Sequence, residues 1–262
     1  MTNLQNWDGD IIDCHIHPFS SPETRLCPHG QPNCAKELFS ELKRAGITRC
    51  CGTMIRRMEN PEWADIRGLN DEAVALSRLY PEYIPGINVH PAYPDESCRE
   101  LERLNKEENL YWVGELVAYM MNHRYSDPGM KFVFEQAQYL GMTVNFHDNN
   151  DLEEIASFCN DFPRLQLVMA HPRDGADYLA RCELMKKYPN LHLDLSGTGL
   201  FRWGMLRHGI DIAGAEHFLF GTDFPICNPG MYVAGVKFEP LTIDEQRMIF
   251  ADNFKRLAVI TP

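Results

Sequence analysis

With 262 residues, 44% of them apolar and 24% charged, the chain is long enough for a large core, and its composition excludes a disordered or fibrous protein. Its 37 acidic against 25 basic side chains give a net charge of −12, which disfavours nucleic acid and anionic membranes as partners. No apolar run reaches the roughly 18 residues of a membrane helix, residues 1–10 lack the basic flank and apolar run of a signal peptide, and the cysteines, nine in number, read as reduced thiols; a cytoplasmic location is therefore expected.

Eight short segments rich in β-branched residues recur along the chain: Asp10 to Cys14, Thr48 to Met54, Ile84 to Val89, Trp112 to Val117, Met142 to Phe146, Gln166 to Ala170, Leu191 to Leu195 and Phe218 to Thr222. Helical signals fill the intervals. Lys36 to Ala45 stops at Gly46, Phe132 to Leu140 stops at Gly141, and Leu179 to Lys187 stops at Tyr188-Pro189-Asn190. A closing helix opens at Leu241-Thr242-Ile243-Asp244-Glu245, with an acidic first turn, and runs to about Leu257. The alternation predicts a single α/β domain over residues 1–262, a (β/α)8 TIM barrel, with an open doubly wound sheet as the alternative. Cys27-x-His29-x4-Cys34 carries zinc-ligand types without a fourth partner and reads as a surface loop.

In such a barrel the active site lies at the C-terminal ends of the strands. The first strand ends Asp13-Cys14-His15-Ile16-His17, and strand alternation turns His15 and His17 to the same side. Glu115, His147, His171 and Asp223 stand at the ends of strands four, five, six and eight. Four imidazoles and two carboxylates crowded at one mouth would be costly unless a cation compensated them. The donor set suits zinc, and also manganese, iron or cobalt. Isolated histidines such as His90 and His192 read instead as hydrogen-bonded structural residues.

At His15-x-His17, Glu115, His147, His171 and Gly221-Thr222-Asp223 the sequence resembles the amidohydrolase superfamily over the whole chain. The compact amidohydrolase-related branch that includes aminocarboxymuconate semialdehyde decarboxylase is most similar, through Asp194-Leu195-Ser196-Gly197-Thr198 and Asn253-Phe254-Lys255-Arg256-Leu257. The resemblance implies one or two divalent metals and an aspartate after strand eight, here Asp223, that touches metal and moves protons. Glu115 departs from the decarboxylase branch and resembles the bridging glutamate of TatD-type hydrolases and phosphotriesterase-like lactonases. It permits two ions, one on His15, His17 and Asp223 and the other on His147 and His171. With one ion, His147 is the ligand and His171 is free to polarise substrate or exchange protons.

The leading expectation is hydrolysis of an ester, lactone or amide by metal-activated water, with Asp223 as proton carrier and His171 as a second catalytic residue. Decarboxylation or hydration of an unsaturated acid is the enzymatic rival, and a TatD-type nuclease and a non-catalytic metal-binding protein are further alternatives. Arg56, Arg57, Arg173 and Arg202 lie in the loops after the strands and suit a small carboxylated substrate. A homo-oligomer is left open.

Overall fold

The computed structural model describes residues 7–26, 29–199 and 202–259. Eight parallel strands alternate with helices: β1 (Ile12–Asp13), α1 (Ala35–Arg44), β2 (Arg49–Gly52), α2 (Trp63–Leu79), β3 (Tyr83–Pro85), α3 (Pro94–Glu108), β4 (Trp112–Leu116), α4 (Pro128–Tyr139), β5 (Thr143–Phe146), α5 (Leu152–Asp161), β6 (Gln166–Met169), α6 (Ala176–Lys187), β7 (Leu191–Asp194), α7 (Met205–Ala213), β8 (Phe218–Leu219) and α8 (Pro229–Phe238). β1 to β3 form one ladder and β4 to β8 another. Two bridges join them into a (β/α)8 barrel: Ile87 pairs with Val113 between the third and fourth strands, and Ile16 pairs with Phe224 between the eighth and first. Cys14 N donates to Phe220 O at 2.9 Å and reinforces that second seam.

Each predicted strand is present, with a shorter ladder than its apolar run. Ile84 to Val89 and Phe218 to Thr222 were expected as full strands, yet regular pairing stops at Pro85 and Leu219. Beyond those points pairing is isolated, as between Ile87 and Val113 and from Cys14 N to Phe220 O, and Asp223 follows the eighth strand into the mouth. Proline at the first turn opens α3, α4 and α8, where its missing N–H costs nothing. The closing helix, predicted as one run, comprises α9 (Ile243–Arg247), a π-turn over Met248–Asp252 and α10 (Asn253–Leu257). The wide turn frees the Ile249 carbonyl, which accepts from Phe220 N at 3.0 Å and ties the helix to the eighth strand.

The strands are buried on both faces, as a parallel barrel requires. Ile12, Cys14, Cys51, Trp112, Val168 and Leu219 pack together, and the closing helix seals that cluster with Ala251, Phe254 and Leu257. Phe254 lies 5.0 Å, centroid to centroid, from Trp112. Phe254→Ala should cost about 3–5 kcal/mol in urea unfolding, the usual range for a buried phenylalanine. A cost below about 1 kcal/mol would show that the seal is not integral to the barrel.

Candidate functional site

Glu115, one residue before the end of β4, is only 3% exposed, and the chain brings four imidazoles to it. His15 Nε2 stands 3.2 Å and His17 Nε2 3.1 Å from Glu115 Oε2. The other oxygen, Oε1, lies 3.1 Å from His147 Nδ1 and 3.5 Å from His171 Nε2. Asp223 Oδ1 closes the group at 3.5 Å from His17 Nε2 and 3.7 Å from His15 Nε2. All six ligand-type residues read from the sequence therefore meet at one mouth. Alternation along the first strand acts as expected, with the Nε2 atoms of His15 and His17 only 3.2 Å apart.

Local backbone makes this convergence feasible. Gly114, at φ 99°, precedes Glu115, and a Cβ there would stand 2.0 Å from Asn145 O, so any side chain would push β4 off β5. His171 and Asp223 hold φ values of 68° and 62°. That left-handed conformation costs about 1–2 kcal/mol per non-glycine residue and turns the chain sharply where each strand ends. Asp13 receives Thr222 Oγ1 at 2.6 Å and His15 N at 3.1 Å, linking the ends of the first and eighth strands. After His147, the fully buried Arg181 clamps Asp148 through its two terminal guanidinium nitrogens, at 2.8 and 2.6 Å.

Electrostatics demand a positive charge at this mouth. Burial opposes charge on His15, but Glu115 and Asp194 outweigh it and lift its imidazole well above the ordinary value. Burial likewise opposes ionisation of Glu115, but His15 and hydrogen bonds from the surrounding imidazoles hold its carboxyl well below the usual range. Burial pushes the Asp223 carboxyl up. The compensating charge is a proton on the imidazoles or a cation in its place. The donor set fits the cation: His17 Nδ1 donates to Thr53 O at 3.0 Å, which leaves the Nε2 lone pair facing Glu115 and His15. Three groups capable of holding an ion occur among the described residues, and all lie here: His15, His17 and Glu115; Glu115, His147 and His171; and His15, His171 and Asp194.

Of the predicted substrate residues, Arg57 is exposed and sits 5.9 Å above the Tyr119 ring, which packs edge-on against His147 at 5.2 Å. A cavity of about 310 Å³ opens there, lined by Arg57, Met58, Glu59, Asn60, Tyr119, Met120 and Asn122. Arg173 donates to Asp148 O at 3.1 Å, while its buried Nε has no partner. Arg56 is exposed. Arg202 is 67% exposed and paired with Asp174 at 2.9 Å, so the structure engages it in a surface ion pair. His29 and Cys34 are exposed, and Cys27 lies outside the described residues. His90 and His192 are hydrogen-bonded, to Met121 O and Gln166 Oε1 respectively.

Sequence reasoning missed Thr53, Tyr119 and Asn145, and cited Asp194 and Ser196 only for the family resemblance, with no role in the site. A buried aspartate ending the apolar strand Leu191–Asp194 was a readable signal for two of them; Tyr119, in a short turn after β4, had none. Gly197, at φ 63°, leaves no room beside His171, where a Cβ would meet Nδ1 at 2.2 Å. Wild-type protein grown with zinc and manganese should carry one to two equivalents of metal by elemental analysis, and Gly197→Ala should lower that content by displacing the His171 ring. A wild-type stoichiometry well below one would refute the metal centre.

No curated protein sequence matches the chain. Among solved structures, 5-carboxyvanillate decarboxylase from Sphingomonas paucimobilis superposes with a TM-score of 0.73 at 16% identity, covering 96% of this chain and 99% of that one. The 2,6-dihydroxybenzoate decarboxylase from Rhizobium gives 0.71 at 17% identity, with 95% and 98% covered. The 5-carboxyvanillate decarboxylase from Novosphingobium aromaticivorans, complexed with manganese and 4-hydroxy-3-methoxy-5-nitrobenzoic acid, gives 0.72 at 11% identity, with 98% and 99% covered. At such identities the likeness establishes the barrel. Residues 12–257 match the amidohydrolase family along almost the full chain, and the protein belongs to that family.

Proposed function

We propose that this chain is a metal-dependent enzyme, one catalytic unit over its length and cytoplasmic, that decarboxylates a small aromatic or unsaturated carboxylic acid without an oxidant. The observation that carries a metal-dependent reading is the buried Glu115 carboxylate facing four imidazoles. The reaction order reverses the sequence expectation, because the structures sharing this barrel end to end include decarboxylases of hydroxylated benzoates, one of them with manganese. His15, His17, Glu115, His147, His171 and Asp223 would hold one or two divalent ions, with manganese as well as zinc suited to the set. Bound there, the ion would polarise substrate oxygens and draw electron density from the bond to be broken.

The chain's own groups supply the rest. Arg57, exposed above Tyr119, offers a guanidinium to a substrate anion, and the Tyr119 face offers a surface for a planar ring. When the carbon–carboxylate bond breaks, its electron pair stays on carbon and carbon dioxide leaves. Asp223, whose carboxyl burial pushes up, is assigned to deliver the proton that carbon then takes. Tyr119 stays a neutral phenol, because burial and the nearby Glu115 and Asp223 raise it.

One observation favours hydrolysis as a second reading. Glu115 presents Oε2 to one pair of imidazoles and Oε1 to another, an arrangement suited to bridging two ions, and a two-ion clamp serves hydrolysis better than decarboxylation. Manganese- and zinc-loaded protein should therefore be offered 2,6-dihydroxybenzoate, 5-carboxyvanillate and a set of small esters and lactones. Stoichiometric carbon dioxide from an acid supports the proposal; cleavage of an ester or lactone with no carbon dioxide from any acid overturns it in favour of hydrolysis. Asp223→Asn keeps size and one oxygen but cannot carry the proton, so activity should fall by about 10²–10⁴ while metal content changes little. Less than a tenfold loss with metal retained would remove Asp223 from that role.

A further inference from the structure

Asp194 ends β7 fully buried, and five donors converge on its carboxylate. Oδ2 lies 2.9 Å from His15 Nδ1 and accepts from Asn145 Nδ2 at 2.9 Å. Oδ1 accepts from Ser196 N at 3.0 Å, from His171 N at 3.4 Å and from the Ser196 hydroxyl. The main-chain N–H groups and the Asn145 NH2 can only donate, so this carboxylate is an acceptor throughout, and the Ser196 hydroxyl spends its one proton on it. The oxygen of Ser196 then has only lone pairs for its other neighbours, His15 Nδ1 at 2.9 Å and His171 Nδ1 at 3.0 Å. Each of those nitrogens must carry a proton. His171 Nδ1 meets a further acceptor, Ser196 O, at 3.2 Å.

Proton counting thus settles two rings from different strands through one pair of side chains. We infer that Asp194 and Ser196 are a positioning pair that locks His15 and His171 as Nδ1–H tautomers, with both Nε2 atoms turned into the mouth. The purpose of the lock rests on the metal reading above, but its geometry does not. With His17 fixed by Thr53 O, three imidazoles are pre-set by neighbours outside the mouth. His147 differs: it faces Glu115 through Nδ1 and its side chain is 22% exposed, so the clamp leaves it as the adjustable member of the set.

Residues that orient metal-ligating histidines typically change affinity by about 10–100-fold when replaced, and Asp194→Asn should weaken manganese binding, measured by chelator competition, within that range. An asparagine offers one acceptor oxygen and turns two new donors toward groups that already donate. In metal-free protein brought to a pH high enough to remove the extra proton from His15, histidine ¹⁵N spectra should show the remaining proton of His15 and of His171 on Nδ1 in the wild type and a loss of that fixed form in Asp194→Asn. Ser196→Ala removes the shared hydroxyl with little change in volume, should shift the same two resonances, and serves if Asp194→Asn does not fold. Wild-type tautomers and an affinity within twofold in the folded variants, or a lowered Tm of the metal-free protein as the sole change, would overturn the positioning role. A wild type that binds no manganese would refute the metal centre, and the tautomer spectra would still decide the lock.

Discussion

A carboxylate at 3% exposure cannot remain ionised without a partner, and Glu115 has drawn its four imidazoles from three other strand ends. Its two oxygens divide four imidazoles into pairs, and Asp223 adds a further negative group against the first pair. Removing any one imidazole would leave charge buried without compensation, so the mouth is held together by the same interaction that makes it a cation site. Barrel closure is subordinate to this. The bridge between Ile16 and Phe224 and the bond from Asp223 N to His15 O, at 2.8 Å, lie at the seam where the first and last strands must meet to bring His15, His17 and Asp223 within reach.

The mouth also shows what the fold tolerates for the sake of its site. His171, Arg173 and Asp223 adopt positive φ, where an ordinary residue is disfavoured, and His171 and Asp223 belong to the converging set. Compensation comes from bonds that over-determine those turns: Asp13 on Thr222, Asp194 on the His171 amide, and the buried Arg181 on the loop that follows His147. The two carboxylates and the terminal nitrogens of Arg181 are buried and paired, which rigidifies the loops around the mouth.

Much of this was legible in the sequence. All eight strands and the six ligand-type residues follow from apolar runs that stop at a polar residue, because a parallel barrel buries both faces of each strand and leaves the strand ends as the place for chemistry. Ladder lengths were not legible, since a β-branched residue such as Val89 is apolar whether it pairs or merely packs. The π-turn was hidden because its residues keep helical spacing on either side, and only the bond from Phe220 N to Ile249 O reveals why the helix widens. Arg57 and Arg202 looked alike as loop cations. One stands over an aromatic face beside the mouth and the other is paired with Asp174, a distinction set by contacts across loops that no local pattern encodes.

The choice between decarboxylation and hydrolysis turns on the same carboxylate. One ion is enough to polarise a carboxylic acid, and in that case Glu115 need engage only one side, leaving an imidazole pair to orient substrate or move protons. Two ions would occupy both oxygens of Glu115 and tie up all four rings. His147 is the ring on which that balance depends, because it is the most exposed of the four, it meets Glu115 through a different nitrogen from the others, and it is packed edge-on against Tyr119. The barrel and its converging side chains are therefore compatible with both proposed reactions, and how His147 is used, beside a second ion or as a free imidazole against Tyr119, is what separates them.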